Sequence, residues 1–143
     1  MRAGRGPLVV TGHGLWATSA PDSVLQIGHL PAGDLPALCG AATLVGYASR
    51  HEGFGLPPVE AMACGAPVVS TPVPAVVEVV GSGAATIAPG DVDGLTATLR
   101  ELLDDDARRA ALAERGRAAV TALSWEHTAR GTVDVYRSLG LHV

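Results

Sequence analysis

One stretch constrains the fold of this chain more than any other: His51-Glu52-Gly53-Phe54-Gly55-Leu56-Pro57-Pro58-Val59-Glu60-Ala61-Met62-Ala63-Cys64-Gly65. Adjacent prolines are tolerated at the opening of a helix but not inside one, and Gly65 followed by Pro67 closes what Pro57 and Pro58 open. No Ser, Thr, Asp or Asn stands at the cap, because Leu56 precedes the prolines. The neighbouring amides therefore have no side-chain oxygen to bond, and a helix start left open behind a glycine loop suits an anion such as a phosphate. Glu52 lies before the loop and Glu60 in the first turns of the helix, so both carboxylates are expected to face one small volume. Carboxylates accept from hydroxyls and amides donate to phosphate. The combination predicts a site for a sugar nucleotide.

Around this stretch, short apolar runs alternate with helical patterns. Pro7 to Thr11, Val24 to Gly28, Thr43 to Ala48, Pro67 to Thr71 and Ala84 to Ala88 read as strands. Asp34 caps a helix through about Ala41 with Leu35 and Leu38 inward, and Pro74 to Val80 is a second short helix stopped by Gly81-Ser82-Gly83. The C-terminal third is helical. Val92, Leu95, Leu99 and Leu102 fall on one face, and Asp104-Asp105-Asp106 starts a helix with Leu112, Ala119 and Leu123 inward. Ser124 caps the last helix, where Trp125, Ala129, Thr132 and Tyr136 form a stripe. Trp125 and Tyr136 read as core residues rather than cofactor contacts. No hairpin signal interrupts the alternation, which predicts a Rossmann-like α/β fold: a parallel sheet with helices on both faces. The Glu52 loop then leaves the C-terminal end of a strand, where such sheets bind ligands.

Other functions find little support. The formal net charge of -4, without a Lys/Arg cluster, argues against nucleic acid. Aromatics amount to 3%, too few for a row of stacking platforms, and no apolar run is long enough to span a membrane. The 143 residues fit one domain. The N-terminus does not read as a signal peptide, and Cys39 and Cys64 show no metal spacing. Free thiols, a reducing compartment and a cytoplasmic location are expected. The five histidines have no ligand spacing, and no Ser-His-Asp arrangement is visible. Gly12-His13-Gly14-Leu15-Trp16-Ala17 matches the dinucleotide fingerprint G-x-G-x-x-A. That fingerprint needs a helix at once, however, and a new strand begins at about Val24, so a plain turn is favoured.

Glu-x7-Glu within E-G-F-G-L-P-P-x-E-A-M-A-C-G resembles the signature of retaining glycosyltransferases of the GT-B fold, family 4 (glycosyl transferases group 1). The resemblance continues in order through Pro67-Val68-Val69-Ser70-Thr71, Glu78-Val79-Val80-Gly81, Pro89-Gly90-Asp91 and Ser124-Trp125-Glu126, and covers the chain from about Val24 onward. It implies the C-terminal, donor-binding half of a GT-B enzyme that transfers a hexosyl group from a UDP- or GDP-hexose with retention, leaning to mannose. The acceptor and the donor base stay open. By resemblance, Glu52 meets the donor sugar and the charge developing at its anomeric carbon, and is the catalytic residue. Gly53, Phe54, Gly55 and Leu56 bring their amides to the sugar and diphosphate, Glu60 accepts from the ribose, and Leu30 holds the base through its backbone. The family uses no metal and no cofactor.

Ala48 stands where the family usually has Pro. Relative to the family pattern, residues 1–143 are expected to form the donor domain without its first strand-loop-helix, which carries a basic pair, and without the N-terminal acceptor domain. Peripheral membrane association would come only through that missing domain. Self-association is expected through the last helix, whose partner in the family fold is the acceptor domain. The rival from another class is a non-catalytic module that binds a nucleotide sugar or a partner protein.

Overall fold

The computed structural model describes residues 6–12 and 23–141. They form two compact units, divided between Leu38 and Cys39. In the first, β1 (Leu8–Thr11) and β2 (Val24–Gly28) pair in parallel, with Leu8 opposite Val24 and Val10 opposite Gln26. The register shifts after Val10, and the Gly12 amide donates to the Gly28 carbonyl at 2.7 Å. Beyond Gly12, the fingerprint-like glycine loop lies outside the described residues. Helix α1 (Leu35–Ala41) runs across the division. Asp34 holds its cap position, with its carbonyl accepting from the Leu38 amide, and Leu35 and Leu38 are half-buried.

The second unit carries a three-stranded parallel sheet in the order β3 (Val45–Tyr47), β4 (Val68–Ser70), β5 (Ala85–Thr86). Each strand is shorter than the apolar run that predicts it, although residues at the strand ends extend the bonding: the amides of Val45, Thr71 and Ile87 donate to the carbonyls of Pro67, Tyr47 and Ser70. The crossovers are α2 (Leu56–Ala63) and α3 (Pro74–Val80), the latter ending in a 3-10 turn at Gly81–Gly83. The central strand is buried at every residue, as expected for a parallel strand covered on both faces. Helices α4 (Val92–Asp104), α5 (Asp106–Val120) and α6 (Trp125–Ser138) follow. Their starts are set locally: Asp91, Asp105 and Ser124 accept from the amides of Gly94, Arg108 and His127 at 2.8, 2.9 and 3.0 Å.

The core is built where these helices meet the sheet. Val69, Ile87, Leu102 and Leu112 form its centre, with Leu44, Ala85, Leu95 and Leu99 packed against it. Pro58, Ala61 and Met62 are the buried face of α2. Gly116 lets α5 come close: a Cβ there would stand 3.0 Å from the Met62 Cγ and 3.3 Å from the Gly83 carbonyl. A mid-helix glycine costs about 1 kcal/mol against alanine, which this approach offsets.

Three helical expectations are corrected. Val92 is 71% exposed at the first position of α4, ahead of the turn that reaches the sheet. On α5 the inward row is Leu112, Gly116 and Val120, whereas Ala119 and Leu123 are exposed. The facing surface is set by the glycine approach and not by the bulkiest apolar residues, and Leu123 lies past the helix end. Trp125 and Tyr136 are 79% and 44% exposed, and no residue of α6 is buried. The expected stripe therefore stands open to solvent and adds nothing to the core. Among the described residues, no helix is long and apolar enough to cross a membrane.

Leu112→Ala should lower stability by about 2–5 kcal/mol in urea unfolding, because Leu112 is 1% exposed at the centre of the core. Val92→Ala should stay within about 0.5 kcal/mol of wild type. Equal losses would place Val92 in the core after all.

Candidate functional site

Strand β3 ends at Tyr47, and the chain leaves its C-terminal end as a loop that enters α2 at Leu56. The root of this loop is tied to the end of β4. The Thr71 amide donates to the Tyr47 carbonyl at 3.2 Å, and the Thr71 hydroxyl donates to the Ser49 carbonyl. Thr71 is 1% exposed, so both bonds are formed away from competing water. Within the loop the Ser49 hydroxyl donates to the His51 carbonyl at 2.9 Å. These bonds close the turn that presents Glu52.

Glu52 is half-buried, and its Oε1 accepts from the Tyr47 hydroxyl at 2.5 Å. Hydrogen bonding from Ser49 first and Tyr47 second, with His51 beside it, holds the Glu52 carboxyl below its usual range against an opposing push from burial. Tyr47 shows the complementary effect. Burial first, and then the bond to Glu52, push its phenol far above its ordinary value. Glu52 is thus an ionised acceptor whose Oε1 is engaged by Tyr47.

The other side of the loop is backbone. Gly55 caps α2 with φ 88° and ψ 49°, and no side chain caps the helix. The helix begins one residue earlier than the prolines alone suggest, so Pro57 and Pro58 occupy its second and third positions. They remove two of the amides that a helix start usually leaves open. The amides of Gly53, Phe54, Gly55 and Leu56 find no hydrogen-bond acceptor among the described residues. These are the donors such a loop offers an anion.

The two loop glycines differ. A Cβ on Gly53 would meet nothing within 4 Å, whereas one on Gly55 would stand 2.7 Å from the Val76 Cγ2 of α3. Gly55 is therefore required by its left-handed backbone and by Val76. Phe54 and Leu56 are 48% and 42% exposed beside it.

Two further expected residues are Glu60 and Leu30. Glu60 is exposed on the second turn of α2, and its charge bears on Cys39. Burial first, then Cys64 and Glu60, push the Cys39 thiol up, and both cysteines are free. Leu30 belongs to the N-terminal unit, half-buried in the loop after β2. Among the described residues, no group of His, Cys, Asp and Glu is arranged to hold a metal ion. Tyr47, Ser49 and Thr71 were missed in the sequence. The only available signal was their place at the C-terminal ends of two adjacent strands.

A family model, glycosyl transferases group 1, matches residues 13–119. The chain belongs to this family. Among its relatives in the family are the O-antigen chain mannosyltransferase B of Escherichia coli and the MMP alpha-(1->4)-mannosyltransferase of Mycolicibacterium hassiacum. The first is 36% identical over 94% of this chain and 38% of the relative. The second is 44% identical over 79% of this chain and 29% of the relative. A solved structure, Anabaena HepE in complex with UDP, superposes with a TM-score of 0.73 at 27% identity, over 82% of this chain and 33% of that one. The chain thus spans less than two-fifths of each of these relatives. Its parallel sheets flanked by helices match solved neighbours with the GT-B glycosyltransferase fold.

Two outcomes follow for the family's loop in this chain. Gly55→Ala should cost about 2–5 kcal/mol of stability, the sum of left-handed strain and overpacking against Val76, and Gly53→Ala almost none. Thermal unfolding distinguishes them, and equal melting temperatures would remove Val76 from the account. The Glu52 carboxyl has a lowered folded-state pKa, so its stabilising contribution is full at neutral pH and disappears as the pH falls through that value. The advantage of wild type over Glu52→Gln should therefore shrink in acid, below the ordinary carboxylate range. An advantage that grows in acid would reverse the sign.

Proposed function

We propose that this chain is the donor-binding part of a retaining, family 4 glycosyltransferase that moves a hexosyl group, mannosyl by preference, from a nucleoside diphosphate sugar to an acceptor hydroxyl. One observation carries the reading: Glu52 is held ionised at the C-terminal end of a parallel strand, beside a run of unpaired loop amides that ends at a helix start. The carboxylate suits hydroxyls of the sugar, and the amides suit the diphosphate. In this reading Glu52 also stabilises positive charge developing at the anomeric carbon as the bond to the diphosphate oxygen breaks. The amides of Gly53, Phe54, Gly55 and Leu56 meet the negative charge that the departing diphosphate acquires. Glu60 accepts from the ribose, and Leu30 holds the base.

Two of the relatives named above are mannosyltransferases, which supports the lean to mannose, and the UDP bound to HepE supports a nucleotide leaving group. Retention implies that the acceptor hydroxyl attacks from the face the diphosphate leaves. The acceptor site is proposed to belong to a separate domain, and a cytoplasmic location is part of the same reading.

The test is a titration of the isotopically labelled chain with UDP-glucose, GDP-mannose, UDP and GDP, followed by amide NMR shifts. Shifts at residues 52–56 that need the sugar form, together with shifts at Glu60 for any preferred nucleotide, are expected. No shift with any of the four at millimolar concentration would overturn the reading. Glu60→Gln should weaken the preferred ribonucleotide by about 1.5–3 kcal/mol and its 2′-deoxy form by less, through loss of charge-assisted hydrogen bonds. Equal weakening would remove Glu60 from the ribose.

A further inference from the structure

Glu52 is carried on a loop, and a glutamate side chain has several rotamers to lose when it is held in place. A free loop carboxylate would be a poor instrument for meeting one face of a sugar. In this chain the carboxylate is not free. The Tyr47 hydroxyl donates to its Oε1 at 2.5 Å, and the tyrosine has a short reach and a half-buried ring. Tyr47 stands on the last residue of β3, opposite Ser70 of the fully buried β4. Its own carbonyl is held by the Thr71 amide, and the next turn of the loop is held by the Thr71 hydroxyl on the Ser49 carbonyl. The contact therefore runs from rigid strand to loop, and not between two mobile side chains.

We propose that Tyr47 is a positioning residue for Glu52: its hydroxyl engages Oε1 and, with Ser49 beside it, sets the plane in which the carboxylate meets the donor sugar. The proposal rests on the donor-site reading above. A phenylalanine at position 47 would keep the ring and its packing and release the carboxylate. The ionisable groups around Glu52 are Tyr47 on β3 and Arg50 and His51 in its own loop. Glu60 is the one ionisable side chain on α2, Glu78 the one on α3, and β4 with Thr71 brings none. Only Tyr47 changes in the variant, so a difference between the two proteins isolates its hydroxyl.

The experiment compares wild type with Tyr47→Phe in two measurements. In the first, the Glu52 side-chain carboxyl is titrated by carbon NMR. Its midpoint should move up in the variant, towards the ordinary carboxylate value, because a donor to the charged form has been removed. An unmoved midpoint overturns the proposal. In the second, binding of GDP-mannose and UDP-glucose is measured from pH 7.5 downwards, beside GDP and UDP. The variant should bind the preferred nucleotide sugar about tenfold more weakly and its nucleoside diphosphate unchanged, through loss of one hydrogen bond to a charged group. The pH at which sugar-dependent affinity fades should move up with the carboxyl midpoint. A contact that merely braces the loop would not move that profile. Equal nucleotide-sugar binding by the two proteins overturns the proposal alone. Failure of wild type to bind either nucleotide sugar overturns the donor-site reading, and this proposal with it. If Tyr47→Phe does not fold, the wild-type chain decides. The signal of the Tyr47 ring carbon that bears the hydroxyl should follow the Glu52 titration and respond to saturation with the nucleotide sugar. A signal indifferent to both overturns the proposal.

Discussion

The site depends on the burial of β4. Val68, Val69 and Ser70 are each almost completely removed from water, flanked in the sheet by β3 and β5. Val69 sits in the core cluster with Leu112, so the strand cannot slide without opening that cluster. The next residue, Thr71, inherits this fixed position and spends its amide and hydroxyl on the loop that carries Glu52. Apolar packing thereby becomes polar geometry one residue further along the chain.

The chemistry of the loop follows from what surrounds each group. Glu52 stays charged because donors converge on it, while the phenol that donates is held protonated by burial and by the same bond. The backbone on the far side contributes donors through an unusual helix start. A left-handed glycine turns the chain into α2, no side chain caps it, and two prolines bring no N–H. Val76 fills the space behind Gly55, so the turn is fixed by packing as well as by torsion. Buried polar groups are otherwise satisfied: among the described residues, no buried side-chain nitrogen or oxygen lacks a hydrogen-bond partner.

The C-terminal helices are organised differently. Asp91, Asp105 and Ser124 start α4, α5 and α6 through bonds to amides three residues on. The Arg109 side chain then donates to the Leu102 carbonyl at 2.6 Å, joining the beginning of α5 to the end of α4. Helix α6 has the same kind of cap and an ion pair between Glu126 and Arg130, yet none of its residues is buried. Its helicity is local, whereas α4 and α5 belong to the core.

By itself, the sequence determined the features that act over a few residues. The alternation of apolar runs and helical patterns, the bounds of α3, the Ser124 cap and the helix between the proline pair and Gly65 all follow from torsion limits and near-neighbour hydrogen bonds. Glu52 and the loop glycines were legible for a similar reason, since their motif is contiguous and its order survives in a family resemblance. Only the tertiary structure decided which face of α5 is buried, because that choice rests on the fit of Gly116 against Met62 and Gly83. It alone showed that Gly55 answers to Val76. It alone brought Thr71 to Ser49, across 22 residues, and fixed the short reach from Tyr47 to Glu52. Contacts of this kind depend on where a buried strand comes to rest, and no local pattern encodes that position.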